Sequence, residues 1–434
     1  MTSSITQTGI QLNIFEDNHL GDLEKVLLLF QTLSDKSLLD ALNAARGKGR
    51  NDNPNQMMWY CILAMFVLEH PTIQSFRREM KRNRQLREVV GYQPVKKVVL
   101  VGKKGHKRWE KRLFLTPPSS AFTGFLNQLM KHEEEVQQIF DMLVEQLYAL
   151  LPDFGTELIV DGKIIETFAD WRSEEAPDGR RDTESTSTAK VYTATTDTGE
   201  TKGKKTWYHG YRDHAIVDAE TGLPIAHDLR TAKESEQTVL LDMLPLLSDM
   251  QRKRGVHFLA DKGYDSTPIR KRLEGYTIKP VIDARNFQRD GLNEWQYKDT
   301  HLWYNYQGKF FYEEDGELRP MRYLGYDKER DTLRYTYPIW HPSNQVIRID
   351  RSEDPRIFTQ IPLHTPKFKR IYKKRTEIER TFARLDRDLG FENHTIRGKK
   401  KMNLFVTLAY IVMNGYAVGK LLQGEENIRS LRSA

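Results

Sequence analysis

The stretch FLADKGYDS, residues 258–266, places an acidic residue, Asp261, directly after three apolar ones. The apolar run is typical of a short buried strand, and an ionised carboxylate at the edge of a sheet core needs a cation or hydrogen bonds. A second stretch, TELIVDGKII at residues 156–165, is rich in β-branched residues and presents Asp161 in the same way. The sequence therefore predicts two strands that each present one aspartate.

These two aspartates have two explanations. Either one alone is equally well explained as the cap of a turn, because Gly162 and Gly263 lie nearby. As a pair on neighbouring strands they predict converging oxygen ligands, which suit a hard ion such as Mg²⁺ or Mn²⁺. The pair is harder to dismiss than either residue, and we expect a metal site.

The segments around these strands predict an α/β layer built on a mixed sheet. Residues 207–230 have the pattern of a hairpin, residues 233–254 that of a helix, and residues 278–283 that of one more strand. Residues 287–370 are aromatic and turn-rich, which predicts short antiparallel strands inserted into this layer. The predicted domains are a helical N-terminal domain at 1–150, the first part of the α/β domain at 151–286, the β-rich insertion at 287–370, and the last part of the α/β domain at 371–425.

Apolar residues recur three and four apart between residues 20 and 150, which predicts an all-α domain there. Near the other end, the stretch at 402–422 is long enough to span a membrane. Its polar residues Asn403, Asn414 and Lys420 would be costly in lipid. We therefore expect a buried core helix and no membrane partner.

Charge and cysteine content indicate the partner and the compartment. Lys and Arg number 67 against 60 acidic residues, the net charge is +7, and the pI of about 9.1 favours a polyanionic partner. The single cysteine, Cys61, excludes an internal disulfide and a Cys-rich zinc site. Because no secretory signal is visible, the sequence predicts a cytoplasmic protein.

One basic segment, residues 96–114, interrupts the helical pattern with β-branched residues around a Gly-rich centre. Its basic side chains include Lys103, Lys104, Lys107 and Arg108. A hairpin or loop that faces phosphates and a solvated run of charge explain this segment equally well.

A third carboxylate is expected on the helix predicted at residues 372–391. The stripe that docks this helix on the sheet consists of Ile378, Phe382, Leu385 and Leu389. Periodicity places Glu379 on one flank of that stripe, with Tyr372, Arg375 and Asp386, and places Glu377 on the opposite flank. Glu379 is therefore the favoured third ligand, and it is also spaced to pair with Arg375.

Four segments in this order, VDGKII, HGYRDHAIVDAETGLPIA, LADKGYDS and RTEIERTF, resemble the DDE transposases of bacterial insertion sequences. The catalytic core of that family has the RNase H-like fold. The resemblance runs from about residue 55 to 420 and places the family's catalytic, metal-binding residues on Asp161, Asp261 and Glu379.

One branch of the family carries a Tyr-x2-Arg-x3-Glu-x6-Lys signature and an inserted β region. Tyr372, Arg375 and Glu379 match this signature, whereas Asp386 occupies its lysine position. That departure leaves one phosphate contact unassigned, and Arg384, Arg387 or a residue elsewhere would have to supply it. The resemblance implies that Arg375 neutralises the scissile phosphate and that Tyr372 contacts the nearby DNA backbone.

The resemblance implies a transposase that binds double-stranded DNA at element ends, cleaves it with two Mg²⁺ or Mn²⁺ ions, and joins the 3′-hydroxyl to target DNA. The N-terminal domain would bind the DNA ends, and the chain would act as a homodimer on DNA at the nucleoid. Two alternatives remain open: a related DNA-binding protein that has lost catalysis, which Asp386 keeps in play, and an RNase H-like nuclease without strand transfer.

Overall fold

The computed structural model describes residues 20–47, 51–101, 108–169, 182–195, 201–284 and 293–429. The chain divides into two compact units. Unit 1 comprises Met1–Pro152, Ile165–Tyr211 and Phe382–Ala434, and unit 2 comprises Asp153–Ile164 and Arg212–Thr381. These units are drawn differently from the predicted domains, because two segments of the expected α/β domain group with the N-terminal helices.

The elements before residue 152 are α1 (Leu23–Thr32), α2 (Lys36–Ala44), α3 (Asn55–Val67), α4 (Ile73–Arg82), α5 (Arg84–Val89), β1 (Val95–Val101), β2 (Arg108–Phe114), α6 (Ser119–Leu129) and α7 (Glu133–Leu150). The next elements are β3 (Glu157–Glu166), β4 (Thr186–Thr195), β5 (Thr201–Asp218), β6 (Pro224–Thr231), α8 (Glu236–Met243), α9 (Asp249–Arg254), β7 (His257–Ala260), α10 (Thr267–Gly275) and β8 (Lys279–Ile282). The last are β9 (Glu294–Gln296), β10 (Leu302–Asn305), β11 (Phe310–Glu314), β12 (Glu317–Pro320), β13 (Arg322–Asp327), β14 (Thr332–Thr336), β15 (Val346–Asp350), α11 (Pro366–Tyr372), α12 (Thr376–Arg387) and α13 (Lys399–Leu422).

The core of unit 1 is built around α13, which packs against α7 and α1. Within the described ranges it is the one helix long and apolar enough to cross a membrane, and 89% of its most apolar window is buried in the protein. A Cβ on Gly415 would lie 2.6 Å from Leu29, and one on Gly419 would lie 2.7 Å from Leu28, so these glycines let α1 approach closely. The prediction of a buried core helix is confirmed.

The part of unit 1 before residue 152 is not all-α, because it contains β1 and β2 in the basic segment for which the sequence left a hairpin or loop open. Strands β1 and β2 pair there as an antiparallel hairpin, from Val95 opposite Phe114 to Val101 opposite Arg108. The β-branched residues of β1 favour extended backbone, and this preference decides the local structure.

Unit 2 carries the strands that the opening stretches predict. The first half of β3 pairs in parallel with β7, and β7 pairs in parallel with β8. Strand β5 lies on the other side of β3 and pairs with β6. The turn between β5 and β6 contains Gly222 at φ +67°, a backbone conformation that glycine adopts without strain. The predicted mixed sheet with a hairpin is therefore present.

The aromatic segment after β8 forms two antiparallel sheets, with strand orders β12-β11-β10-β9 and β13-β14-β15. They share one buried cluster that is mostly aromatic. Its largest members are Tyr297, Phe310, Tyr312, Tyr335, Tyr337 and Phe358. This arrangement agrees with the turn-rich pattern of the insertion.

The helix predicted at residues 372–391 is shorter than expected. One 3₁₀ turn, Lys373–Arg375, separates α11 from α12, and α12 ends at Arg387 before Gly390 takes φ +78°. Three successive cations are unfavourable in the first turn of an α-helix, because the helix dipole is positive there. The regular helix accordingly begins after them, at Thr376.

Candidate active site

Asp161 and Asp261 lie beside each other on neighbouring parallel strands of unit 2. Leu158 pairs with Phe258 and Ile159 with Leu259, so each aspartate lies at the same step beyond the paired residues. Parallel strands are about 4.8 Å apart, and a register that continues for two residues brings the two carboxylates to one edge of the sheet. The structure thus brings together the pair that the sequence singled out.

The Asp161 carboxylate has few protein partners for a side chain that is only 24% exposed. Its Oδ1 accepts a hydrogen bond from the Gly162 backbone N–H at 2.7 Å, and its Oδ2 lies 3.3 Å from the Arg375 guanidinium. Burial raises the pKa of Asp161 to about 6, and the negative charge of Asp261 contributes to the rise. The site therefore holds more negative charge than its protein donors neutralise.

Asp261 follows β7 and caps a single 3₁₀ turn, Lys262–Tyr264. Its Oδ1 accepts a hydrogen bond from the Gly263 backbone N–H at 2.7 Å. Its Oδ2 accepts no hydrogen bond from any described residue. The turn-cap explanation of this residue holds, and it leaves one carboxylate oxygen unused.

Glu379 lies on α12 with its side chain 58% exposed, and Arg375 connects it to Asp161. Arg375 donates to Glu379 Oε1 at 3.0 Å and to Asp161 Oδ2 at 3.3 Å. The predicted Arg375–Glu379 pair is therefore present. Glu377, by contrast, is buried and pairs with Arg380 at 2.6 Å.

Tyr372 lies at the end of α11, where its ring stacks on Phe368 at 5.3 Å between centroids. The Arg375 guanidinium lies 5.9 Å from the centre of the Tyr372 ring, within cation–π distance. Burial raises the pKa of Tyr372 to about 12, so this phenol stays protonated at neutral pH. The Tyr372 side chain therefore packs between Phe368 and Arg375.

The position of the signature lysine, Asp386, lies in unit 1, beyond Thr381, and so do its candidate replacements Arg384 and Arg387. Arg384 donates to the backbone carbonyl of Arg429, Asp386 is half-buried, and Arg387 is exposed. Which residue supplies the phosphate contact of the signature lysine stays a prediction.

Two further residues of unit 2 belong to this neighbourhood and were missed by the sequence reasoning. Glu236, the first residue of α8, contributes to the raised pKa of Asp161, after burial and the charge of Asp261, and it pairs with Arg212 of β5. The only sequence signal was the pair of glycines that follow the aspartates, Gly162 and Gly263. Each gives a neighbouring side chain room to pass.

The chemistry of the donors fits a divalent cation at Asp161 and Asp261, since both offer hard oxygen atoms and little competing protein charge. Within the described part of the chain, no three His, Cys, Asp or Glu side chains are placed to hold one ion together. Arg375 accounts for this, because it bonds to both Asp161 and Glu379. The site thus presents two aspartates, with the glutamate held by an arginine.

The basic hairpin is described only in part. Lys103, Lys104 and Lys107 lie outside the described residues. Arg108 begins β2 with a side chain that is 78% exposed, and it pairs with Glu110 at 2.6 Å. Next to it, Trp109 is 70% exposed. A cation and a large aromatic ring thus face solvent on this strand.

Comparison with known proteins supports the family that the sequence motifs resemble. A family profile described as "Transposase DDE domain" matches residues 154–414, more than half of the chain. A Burkholderia cepacia protein assigned as a transposase for insertion sequence element IS402 is 32% identical over 105 residues, which cover 22% of this chain and 48% of that protein. The chain thus spans about half the length of this curated relative.

Among solved structures, a cryo-EM structure of a piggyBac transposase synaptic complex with hairpin DNA aligns over 96% of this chain and 78% of that one, with 13% identity and a TM-score of 0.38. A score this low adds nothing to the assignment, which rests on the profile match across β3, β7 and α12. The chain belongs to the family of transposases that carry the DDE domain.

Proposed function

We propose that this chain is an insertion-sequence transposase that cleaves DNA at element ends by metal-assisted phosphodiester hydrolysis and then joins the freed 3′-hydroxyl to target DNA. The observation that carries the proposal is the pair Asp161 and Asp261, which share one sheet edge and, among the described residues, accept one backbone hydrogen bond each, from Gly162 and Gly263, with Arg375 as the one side-chain donor. Half-buried carboxylates with so few donors are costly next to each other, and a bound cation would offset that cost. We assign β3, β5, β6, β7 and β8 to an RNase H-like core.

Asp161 and Asp261 would hold the cation, Mg²⁺ or Mn²⁺, with Glu379 as the third ligand. A pair of such ions supplies an activated attacking oxygen and stabilises the leaving oxygen of an in-line displacement. The aspartates fix the position of this chemistry because their strands are paired, whereas Glu379 extends from an exposed helix face. The site is therefore half preorganised before DNA arrives.

Arg375 is the residue that would change partners during the reaction. Its guanidinium pairs with both Asp161 and Glu379. A phosphate is a better bidentate partner for a guanidinium than two carboxylates at separate distances of 3.3 and 3.0 Å. DNA would draw Arg375 to the scissile phosphate and release both carboxylates to the cation.

DNA is the macromolecular partner in this proposal, and unit 1 would contact the element ends through the hairpin with Arg108 and Trp109. Two chains would assemble on the two ends as a homodimer, and the reaction would take place in the cytoplasm at the nucleoid. The net charge of +7 supports such a partner through release of phosphate counterions.

The test is single-turnover cleavage of labelled duplexes taken from the DNA that flanks the gene, with Mg²⁺ or Mn²⁺, followed by a strand-joining assay on plasmid DNA. We expect a metal-dependent nick and joined products from the wild-type chain, and neither from Asp161→Asn, Asp261→Asn or Glu379→Gln. Binding without cleavage by the wild type would identify an inactive DNA-binding protein. Cleavage without joining would identify a nuclease.

A further inference from the structure

The Arg212–Glu236 ion pair lies against the two aspartates and is not used by the chemistry proposed above. Glu236 Oε1 accepts from the Arg212 guanidinium, whose side chain is only 11% exposed. Glu236 Oε2 makes no hydrogen bond or ion pair with a described residue. The buried Arg212 guanidinium and its counter-ion thus lie beside the site that would bind the metal ion.

Two glycines make room for this pair. A Cβ on Gly162 would lie 2.8 Å from Cδ of Arg212, so the arginine passes over the backbone next to Asp161. A Cβ on Gly263 would lie 2.4 Å from Glu236 Oε2 and 2.8 Å from Asp261 Oδ1. One absent methyl group therefore lets the carboxylates of Glu236 and Asp261 approach each other.

The interior beside these carboxylates contains a second unusual feature. The Tyr264 side chain is fully buried, and its hydroxyl has no hydrogen-bond partner among the described residues. The charges that act on this hydroxyl are those of Asp161, Glu236, Asp261 and Arg212. A buried hydroxyl thus lies in the field of three carboxylates and one guanidinium, which shows how closely these charges are grouped.

We infer that Glu236 is a positioning residue that holds Arg212 away from the metal-binding aspartates. This inference rests on the proposed function, because it concerns the same cation. Without Glu236, the buried guanidinium of Arg212 would lose its counter-ion and would turn to other anions close by, among them Asp161, whose neighbour Gly162 it passes. The cation would then compete with an internal positive charge for its ligands.

The experiment measures Mn²⁺ binding to the full-length protein, by the electron paramagnetic resonance signal of free Mn²⁺ and by titration calorimetry. Glu236→Gln keeps the size of the side chain and removes its charge. We expect Mn²⁺ affinity to fall about 10- to 100-fold, as for other residues that support metal ligands. Adding Arg212→Met to this variant removes the competing cation and should restore affinity to within about threefold of wild type.

Glu234→Gln is the matched control, because Glu234 lies two residues earlier and bonds to Thr231. Its Mn²⁺ affinity should equal that of wild type. Gly263→Ala is a second variant whose new methyl group displaces Glu236 and Asp261, and it should weaken binding even if Glu236→Gln folds poorly. Thermal denaturation in EDTA reports the folding of every variant.

The outcomes separate the two proposals. A wild-type chain that binds no Mn²⁺ would overturn the proposed function and this inference with it. Wild-type binding that Glu236→Gln leaves unchanged would overturn the inference alone. A double variant that stays as weak as Glu236→Gln would show that Glu236 is a metal ligand and not a positioning residue, which also refutes the inference.

Discussion

Unit 2 contains two aspartates at strand ends, the buried Asp218 and the half-buried Asp261, and the fold supplies their carboxylates with different numbers of hydrogen-bond donors. Asp218, in the turn between β5 and β6, accepts from four donors: the backbone N–H groups of Gly155, Glu220 and Thr221, and the Thr221 hydroxyl. Asp261, directly after β7, accepts a hydrogen bond from one donor among the described residues, the Gly263 N–H. Both residues follow apolar strand segments.

The difference shows how a structural carboxylate differs from one reserved for a ligand. The protein satisfies Asp218 completely, so its charge stabilises a turn and has no capacity for a further partner. Asp261 retains an oxygen without a donor among the described residues, and its neighbour Asp161 accepts one backbone hydrogen bond from them, from Gly162. Such a cost persists in a fold when a function uses it.

The largest expected effect is on catalysis by Asp261→Asn. This substitution keeps the hydrogen bond from Gly263 and removes the charge that would bind the cation. We expect single-turnover cleavage to fall at least a thousandfold, equivalent to about 4 kcal/mol of transition-state stabilisation, while the melting temperature in EDTA holds or rises. Cleavage at the wild-type rate would remove Asp261 from the site.

Asp218→Ala should do the reverse. Its four donors lose their acceptor in a region that is 1% exposed at Asp218, so we expect a loss of about 4 kcal/mol in the free energy of unfolding, measured by urea denaturation. Cleavage per folded molecule, measured well below the melting temperature, should match wild type. A stable but inactive Asp218→Ala chain would contradict the distinction between the two regions.

Asp161 allows a test of the same distinction by pH. Its pKa of about 6 in the folded chain exceeds the ordinary value of 3.8, so the folded chain holds this proton more tightly than the unfolded chain does. Stability from this group is complete below about pH 4 and is lost as the pH rises to about 6, by up to about 3 kcal/mol.

Asp161→Asn cannot ionise, and it should therefore be more stable than wild type at pH 7.5 in EDTA. The gain should be up to about 3 kcal/mol and should vanish near pH 4. Thermal denaturation across this pH range measures the effect. Parallel stability curves for the two chains would show that the Asp161 carboxylate is neutralised in the fold by other means.

A smaller effect separates the two glutamates of α12. Glu377→Ala removes the partner of Arg380 from a side chain that is 7% exposed, and we expect a loss of about 1 kcal/mol in stability with most of the cleavage activity retained. Glu379→Ala should lose cleavage and little stability, because that side chain is 58% exposed. If Glu377→Ala lost cleavage and Glu379→Ala kept it, Glu377 and not Glu379 would belong to the site.

Much of this site could be predicted from sequence because it depends on short-range pattern. Apolar runs ending in Asp161 and Asp261 predict strand positions, and helical periodicity alone separates Glu379 from Glu377. In the structure the Glu379 side chain is exposed and the Glu377 side chain is buried. Their catalytic roles stay predictions.

Other features depend on contacts between distant segments and carry little local signal. Arg212 and Glu236 are 24 residues apart and look like ordinary surface charges in the sequence. The 3₁₀ turn at Lys373–Arg375 interrupts a pattern that reads as continuous helix, because hydrophobic periodicity takes no account of cations at a helix start.

The smallest expected effect concerns the basic hairpin, which contrasts with the acidic site by its exposure. Each cation that contacts a phosphate adds about 0.9 to the slope of log affinity against log salt. Arg108→Gln should therefore flatten this slope by up to about 0.9, and neutralising Lys103, Lys104 and Lys107 as well should flatten it by up to roughly four times as much. Arg375→Gln is the informative contrast, because its expected partner is the scissile phosphate and its loss should lower the single-turnover cleavage rate more than the slope. Both measurements use the same DNA duplex. If the fourfold variant keeps the wild-type slope, the hairpin is a solvated surface and the path of the DNA lies elsewhere, with the cations at 367–374 as the next segment to neutralise.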